Sequence, residues 1–164
     1  MVLVSEKENS LQLIGFRAGG KLYGVNILAI REILRKVPLE PIQNAPSFVA
    51  GGIRIRGAVI PAVDLKRRLG KPDPSDTSNQ NWVLIANAGN GEVGFLVDFV
   101  TRILKVEPDD ILPAPDLILA GLRSPYVQGV CNSEVGMHVV LDLNRILVAD
   151  EIKALKKMEA HQPA

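Results

Sequence analysis

The sequence predicts a mainly β protein of the barrel or sandwich kind, and three observations carry that expectation. Apolar residues come in many short runs at regular spacing rather than in long helical stripes. The runs are filled by Val, Ile and Leu, because only 4% of residues are aromatic although 47% are hydrophobic. The breaks between them are marked by glycine and proline, of which the chain holds 14 and 11. The chain of 164 residues fits one domain or two small ones packed together.

Residues 1–10 read as a polar, flexible lead-in. Leu11 to Arg17 alternates as a strand, Gly19-Gly20 makes a tight turn, and Lys21 to Val25 returns as its hairpin partner. Ile27 to Leu34 is ambiguous, since its spacing suits a short amphipathic helix and its residues suit a strand. Pro38 and Pro41 end any helix before them. Ala45-Pro46 opens a turn that closes at Gly51-Gly52. Ile53, Ile55 and the run Ala58 to Val63 give the clearest β signal, with Gly57 at the break. Pro61 inside that run argues for an edge strand or a bulge. Asp64 is placed to cap a short helix, Leu65 to Leu69, that stops at Gly70.

Lys71 to Gln80 is the strongest loop signal and the expected boundary between two halves. Beyond it, Trp82 to Ala88 and Glu92 to Val97 flank Gly89-Asn90-Gly91 as a second hairpin, and Phe99 to Val106 continues as strand. Glu107 to Pro115 is a turn region. Tyr126 to Cys131 and Met137 to Leu141 form another strand pair. Asp142 caps an expected helix near Leu143 to Val148, a charged C-terminal helix is expected over 150–159, and 159–164 is a flexible end. Both halves end a strand in an Asp-Leu step: AVIPAVDLKRRL and MHVVLDLNRIL. The shared rhythm points to an internal duplication.

Several function classes find no support. Nineteen basic and eighteen acidic residues leave a formal charge of +1, too little to draw in nucleic acid or an anionic membrane. The aromatics are too few for a base-stacking face. Cys131 is the only cysteine, so it makes no internal disulfide or multi-thiolate metal site. It reads as a small buried apolar residue. His138 lies in an expected strand and His161 in the terminal tail, neither beside a nucleophile or an acid. The glycines suit turns, not phosphate loops. Asp109-Asp110 follows Pro108 as a solvated turn. Lys66-Arg67-Arg68 and Lys153, Lys156 and Lys157 read as solvated surface. The N-terminus has no signal-peptide pattern, and no apolar stretch approaches a membrane span, which gives a cytoplasmic expectation.

One pair stands out. Glu32 lies among Ile30, Ile33 and Leu34, and Arg56 follows Ile53-Arg54-Ile55. Strand alternation sets Arg54 and Arg56 on one face and Ile53 and Ile55 on the other. Two readings of Glu32 with Arg56 stand. One is an ordinary surface ion pair; the other is a positioned polar feature at the centre of a protein-binding surface, where arginine is enriched.

Motifs in order along the chain add a family resemblance. They are Leu22-Tyr23-Gly24-Val25, Arg31-Glu32-Ile33, Ala45-Pro46-Ser47-Phe48-Val49-Ala50-Gly51, Ile55-Arg56-Gly57-Ala58-Val59-Ile60-Pro61-Ala62-Val63-Asp64-Leu65, Val93-Gly94-Phe95-Leu96-Val97-Asp98, Ile111-Leu112-Pro113-Ala114-Pro115 and Tyr126-Val127-Gln128-Gly129-Val130. The set resembles the CheW-like domain family of bacterial chemotaxis coupling proteins. The resemblance implies two small five-stranded β-barrels (SH3/OB-like) packed together, with short helices and a C-terminal helix. They would span 11–150, and the barrels are free to exchange strands.

The resemblance also implies a non-catalytic adaptor joining the cytoplasmic tip of chemoreceptors to the CheA-type histidine kinase, with no cofactor. The adaptor would be monomeric in isolation and would meet the membrane only through receptors. Ile30, Glu32, Gly51 and Arg56 match positions tied to receptor binding, and Trp82 aligns with another. Their apolar neighbours would form a groove for a receptor helix. The family usually has Asn where this chain has Arg54, a change that adds a charge beside the site. Leu117 to Ser124 matches poorly. A paralogue serving pili or another output is the alternative within the fold. A small β-barrel that binds nucleic acid, or an enzyme subunit, is the alternative outside it.

Overall fold

A computed structural model describes residues 10–35, 37–69, 82–88, 91–113, 126–147 and 150–155. Among the described residues ten strands run β1 (Leu11–Ala18), β2 (Lys21–Asn26), β3 (Ile30–Arg35), β4 (Val49–Ile55), β5 (Ala58–Asp64), β6 (Trp82–Ala88), β7 (Gly91–Val97), β8 (Phe99–Val106), β9 (Val127–Ser133) and β10 (Gly136–Leu141). One short helix, α1 (Leu65–Leu69), follows β5, and residues 150–155 are helical. The strands form two five-stranded sheets. Sheet I has the order β8-β1-β2-β10-β9 and sheet II the order β3-β6-β7-β5-β4.

The chain is mainly β with two five-stranded units, as expected, but the units are open sheets rather than closed barrels. β8 and β9 are the outer strands of sheet I, and β3 and β4 those of sheet II. Sheet II nevertheless curls until its two edges meet, because Glu32 on β3 lies 3.2 Å from Arg56 beyond the end of β4.

The segment 71–80 does not separate the sheets. β3, β4 and β5 before it and β6 and β7 after it all belong to sheet II. The chain changes sheet between β2 and β3 and again between β7 and β8. The sequence order is therefore hairpin, strand, hairpin, repeated once, with the leading hairpins exchanged. β1–β2 joins β8, β9 and β10, and β6–β7 joins β3, β4 and β5. In each sheet the last strand of the trailing hairpin runs parallel to the exchanged hairpin: β10 to β2 and β5 to β7.

The registers make the duplication explicit. Ile53 faces Ile60 and Ile55 faces Ala58 in one hairpin; Cys131 faces His138 and Ser133 faces Gly136 in the other. Each hairpin closes through a two-residue turn, at 56–57 and 134–135. On that alignment Phe48–Leu65 matches Tyr126–Leu143 without a gap. The outer strands match as IREILR and VTRILK, each bulged one residue after its start, between Ile30 and Glu32 and opposite the Gly15–Phe16 step.

Local chemistry explains most element ends. Gly19 and Gly20 sit at φ +60° and +82°, the pair of left-handed residues that a two-residue hairpin turn of matching twist requires. The ambiguous Ile27–Leu34 resolves into one 3-10 turn, Ile27–Ala29, capped by Asn26, and then strand β3. Alternate burial along β3 decides for strand, with 30, 32 and 34 turned in and 31, 33 and 35 out. The two Asp-Leu steps are equivalent caps: Asp64 Oδ1 accepts from the Lys66 amide at 3.0 Å and Asp142 Oδ1 from the Asn144 amide at 3.0 Å. After Asp142 the chain makes only a 3-10 turn, Leu143–Arg145, where a longer helix was expected. The lead-in through residue 9, Gly89-Asn90, 71–80, Val148, Ala114, Pro115, Leu117 to Ser124 and 156–164 lie outside the described residues.

Pro61 is not on an edge, since β5 lies between β7 and β4. It is tolerated because its partner Gly52 gives its amide and carbonyl to Glu40, at 2.7 and 2.8 Å, and asks for no donor from Pro61. The same bridge recurs between Leu112 and Val130.

The main core lies between the sheets. Phe16, Tyr23 and Val25 of sheet I pack there with Leu84, Phe95 and Val97 of sheet II, and with Leu65, Leu69, Leu143 and Ile146 from the Asp-Leu turns. Each sheet also holds a small core of its own: Leu13, Leu104, Val106, Cys131 and Val140 in sheet I, and Ile53, Ala62, Val83, Ile85 and Leu96 in sheet II. Truncating any one of the large side chains to Ala costs roughly 2–5 kcal/mol. Arg68 ties the two turns together. Its Nε donates to the Ile146 carbonyl at 3.1 Å, and its guanidinium pairs with Glu151 on both nitrogens.

Candidate partner-docking site

Glu32 and Arg56 meet, as their residue types suggested. Arg56 Nη2 donates to Glu32 Oε2 at 3.2 Å and Nη1 to Oε1 at 3.5 Å. The route differs from the expected one. Arg56 is not a strand residue facing the same way as Arg54; it is the first residue of the β4–β5 turn, at φ +48° with Gly57 at +82°. A non-glycine residue there costs on the order of 1–2 kcal/mol of backbone strain. Asn would sit more comfortably at that position, so arginine is held against backbone preference. Its side chain is 72% exposed while Glu32 is 32% exposed. An exposed pair of this kind contributes about 0–1 kcal/mol to stability, so the pair does not offset its own strain. That favours recognition over stability.

Around the pair the surface is part apolar. A groove of about 340 Å³ is lined by Ile55, Arg56, Ala58, Val59, Ile60, Pro61 and Glu92. Glu92 also lies 4.0 Å from Arg31, next to Glu32 on β3. Ile33 on the outer side of β3 and Leu39 on the segment that bridges β4 are exposed apolar residues.

The other expected residues are dispersed. Ile30 shares the inner face of β3 with Glu32 but packs against the main core. Gly51 is buried, and its role is one of packing: a Cβ there would lie 3.0 Å from the Glu40 carbonyl oxygen and 3.3 Å from Leu39 Cβ. Gly129 at the matching position of sheet I would bring a Cβ to 2.4 Å from the Leu112 carbonyl oxygen. Both glycines let a crossing segment lie on the strand. Trp82 faces Arg35 at the far end of the β3–β6 ladder from Ile30, with the Arg35 guanidinium 4.7 Å above its ring.

Sequence reasoning did not single out Glu40. Arg54 Nε and Nη2 donate to its two carboxylate oxygens at 2.9 and 3.0 Å. The Arg54 hydrogen bonds hold the Glu40 carboxyl below its usual range. The two lie 14 positions apart and meet only through the Glu40–Gly52 bridge, which no local pattern announces.

The position matching the Glu32–Arg56 pair is occupied in sheet I by the reverse polarity. Glu32 corresponds to Arg102 and Arg56 to Glu134, and Arg102 Nη2 lies 3.9 Å from Glu134 Oε2. Inside that sheet the matches of Ile60 and Ile85 are His138 and Gly15. His138 is fully buried, its ring nitrogen 3.3 Å from where a Gly15 Cβ would stand. Burial pushes its pKa down, and Arg102 and Arg17 reinforce the shift. Burial raises the Cys131 thiol in turn. Among the described residues no group of three or more His, Cys, Asp or Glu side chains is placed to hold a metal ion.

A family model described as the CheW-like domain matches residues 12–151, which takes in both sheets and the whole exchanged topology. The chain belongs to the CheW-like domain family. It is 37% identical over 143 residues to "Chemotaxis protein CheW" of Rhizobium meliloti (strain 1021), covering 87% of this chain and 91% of that one. It is 32% identical over 150 residues to "Probable chemotaxis protein CheW" of Rhizobium etli, covering 92% and 96%. Among solved structures, the scaffolding protein TtCheW from Thermoanaerobacter tengcongensis superposes with a TM-score of 0.72 at 24% identity, over 86% of this chain and 90% of that one. That similarity shows that the two share the CheW-like fold. Among the described residues no helix is long and apolar enough to cross a membrane.

Proposed function

We propose that this protein is a non-catalytic chemotaxis adaptor that couples the cytoplasmic tip of chemoreceptors to a CheA-type histidine kinase. It would work in the cytoplasm, reaching the membrane only through the receptors. The observation that carries the docking site is Arg56, an exposed arginine kept at positive φ and aimed across the sheet edge at Glu32. Strain kept without a stability return is the mark of a functional position. The groove beside Arg56 offers the partly exposed Ile55 and Val59 to the apolar face of a partner helix, with Arg56 and Glu92 as polar guides. Membership in the CheW-like domain family supports the chemotaxis role, and the alignments span nearly the whole length of the chemotaxis relatives.

The test is a binding assay with purified CheA-type kinase and a soluble receptor-tip fragment from the same organism. The expected result is capture of both, with Arg56→Glu weakening receptor capture alone and leaving the fold intact. Failure to bind either would assign the fold to a different set of partners.

A further inference from the structure

We infer that Arg54 is a specificity-determining residue of this docking surface, that Glu40 is its positioning residue, and that together they select a partner carrying an acidic side chain beside the Arg56 contact. The inference rests on the docking reading of Glu32 and Arg56 and adds the chemistry of the partner.

The duplication separates what the fold needs from what it does not. In sheet I the residues matching Glu40 and Arg54 are Leu112 and Asn132. The backbone bridge there is the same: Leu112 and Val130 exchange two hydrogen bonds at 2.8 Å, as Glu40 and Gly52 do at 2.7 and 2.8 Å. The crossing segment therefore docks on the outer strand without any ion pair. The Arg54–Glu40 pair is an addition to sheet II alone. It is also exposed, with side chains 59% and 41% accessible, a setting in which ion pairs add little to stability.

Its geometry suits recognition. Two hydrogen bonds fix the Glu40 backbone beside β4, and its carboxylate meets the Arg54 guanidinium through two parallel contacts. Glu40 engages Nε and Nη2. A planar guanidinium has five N–H donors, so Arg54 keeps donors beyond those two contacts. Arg56 follows two residues later and engages Glu32 through Nη1 and Nη2. Two exposed guanidiniums thus belong to the end of β4 and its turn, Arg54 on the strand paired with Glu40 and Arg56 in the turn paired with Glu32. A carboxylate on a partner helix that also meets Arg56 is the group that the remaining Arg54 donors suit; Asn132 in sheet I has no such charge to offer.

The experiment measures binding of the receptor-tip fragment to the full chain for wild type, R54N, R54K, E40Q and R56E, at low and high salt. Single Asp→Asn and Glu→Gln changes on the fragment follow. R54N is expected to weaken binding about tenfold at low salt, the loss of a pair of charge-assisted hydrogen bonds. The loss should shrink at high salt. R54K, a point charge without the fork, should recover only part. E40Q should weaken binding about threefold. One acidic residue of the fragment should lose its effect in the R54N background. The E40L/R54N double variant, which copies sheet I, should melt with wild type. R54N binding like wild type at both salts while R56E loses affinity would overturn the inference and leave the docking reading standing. R56E binding like wild type would overturn the docking reading and the inference with it. A double variant that melts well below wild type would show the pair to be structural, also overturning the inference.

Discussion

Reversing the Glu32–Arg56 pair separates its contribution to folding from its contribution to docking. Arg56→Glu removes an attraction of about 0–1 kcal/mol and sets two carboxylates side by side. Like charges about 4 Å apart in water repel by roughly 1 kcal/mol. The single variant should therefore lose about 1–2 kcal/mol, a fall in Tm of roughly 2–8 °C for a chain of this length. Glu and Arg carry the same penalty at φ +48°, so the turn adds no further cost. Adding Glu32→Arg restores opposite charges in the polarity that sheet I already uses at Arg102 and Glu134. The double variant should return to within about 0.5 kcal/mol of wild type. Chemical denaturation of wild type, Arg56→Glu, Glu32→Arg and the double variant gives the coupling energy, and a receptor-tip binding assay on the same samples gives the second reading. The double variant should be as stable as wild type and still fail to bind. Recovery of binding together with stability would refute the reasoning, because it would mean that the surface needs only an intact pair.

Other outcomes follow from the packing and the buried groups. Gly51→Ala should cost about 1–3 kcal/mol by urea denaturation, since the new Cβ meets the Glu40 carbonyl oxygen at 3.0 Å; any loss of partner binding should scale with that instability. The folded-state pKa of His138 is depressed, so the unfolded chain takes up the proton first and stability should fall as pH drops below about 6.5. Urea midpoints between pH 7.5 and 5 test this, and His138→Leu should flatten the dependence. Glu151→Gln should lower stability by about 1–3 kcal/mol, because it leaves the Arg68 guanidinium, only 24% exposed, facing a neutral partner. Calorimetry on that variant checks the figure.

Strand positions, turns and caps were legible because they depend on neighbours in sequence. Gly19-Gly20, Asp64 and Asp142 each announce their role within a few residues. The duplicated Asp-Leu ending was visible, but the hairpin exchange was not. Exchange leaves every local pattern unchanged and alters only which sheet a strand joins. For the same reason a loop at 71–80 looked like a domain boundary. Pro61 suggested an edge because proline lacks a donor; only the Glu40–Gly52 bridge, made elsewhere, removes the need for one. Within the site, the meeting of Glu32 and Arg56 was read from their types and settings. Gly51 was placed on the binding surface by resemblance; that it lies buried under Leu39 and Glu40 depends on a crossing segment no local pattern announces. Glu40 and the charge-reversed Arg102–Glu134 pair were out of reach, since each depends on a register between distant strands.

The exchanged hairpins also fix how the protein comes apart. A cut between Leu69 and Trp82 would produce one piece holding β1 to β5 and another holding β6 to β10, and neither would contain a complete sheet. Each piece can finish its sheet only by clasping the other. The two halves are thus related as two strand-exchanging partners within one chain, and joining them covalently raises the effective concentration of one half around the other. Two separately expressed halves should thus assemble only above a threshold concentration. In the intact chain, loosening at one docking edge should be felt in both sheets, since each half of the chain contributes strands to both.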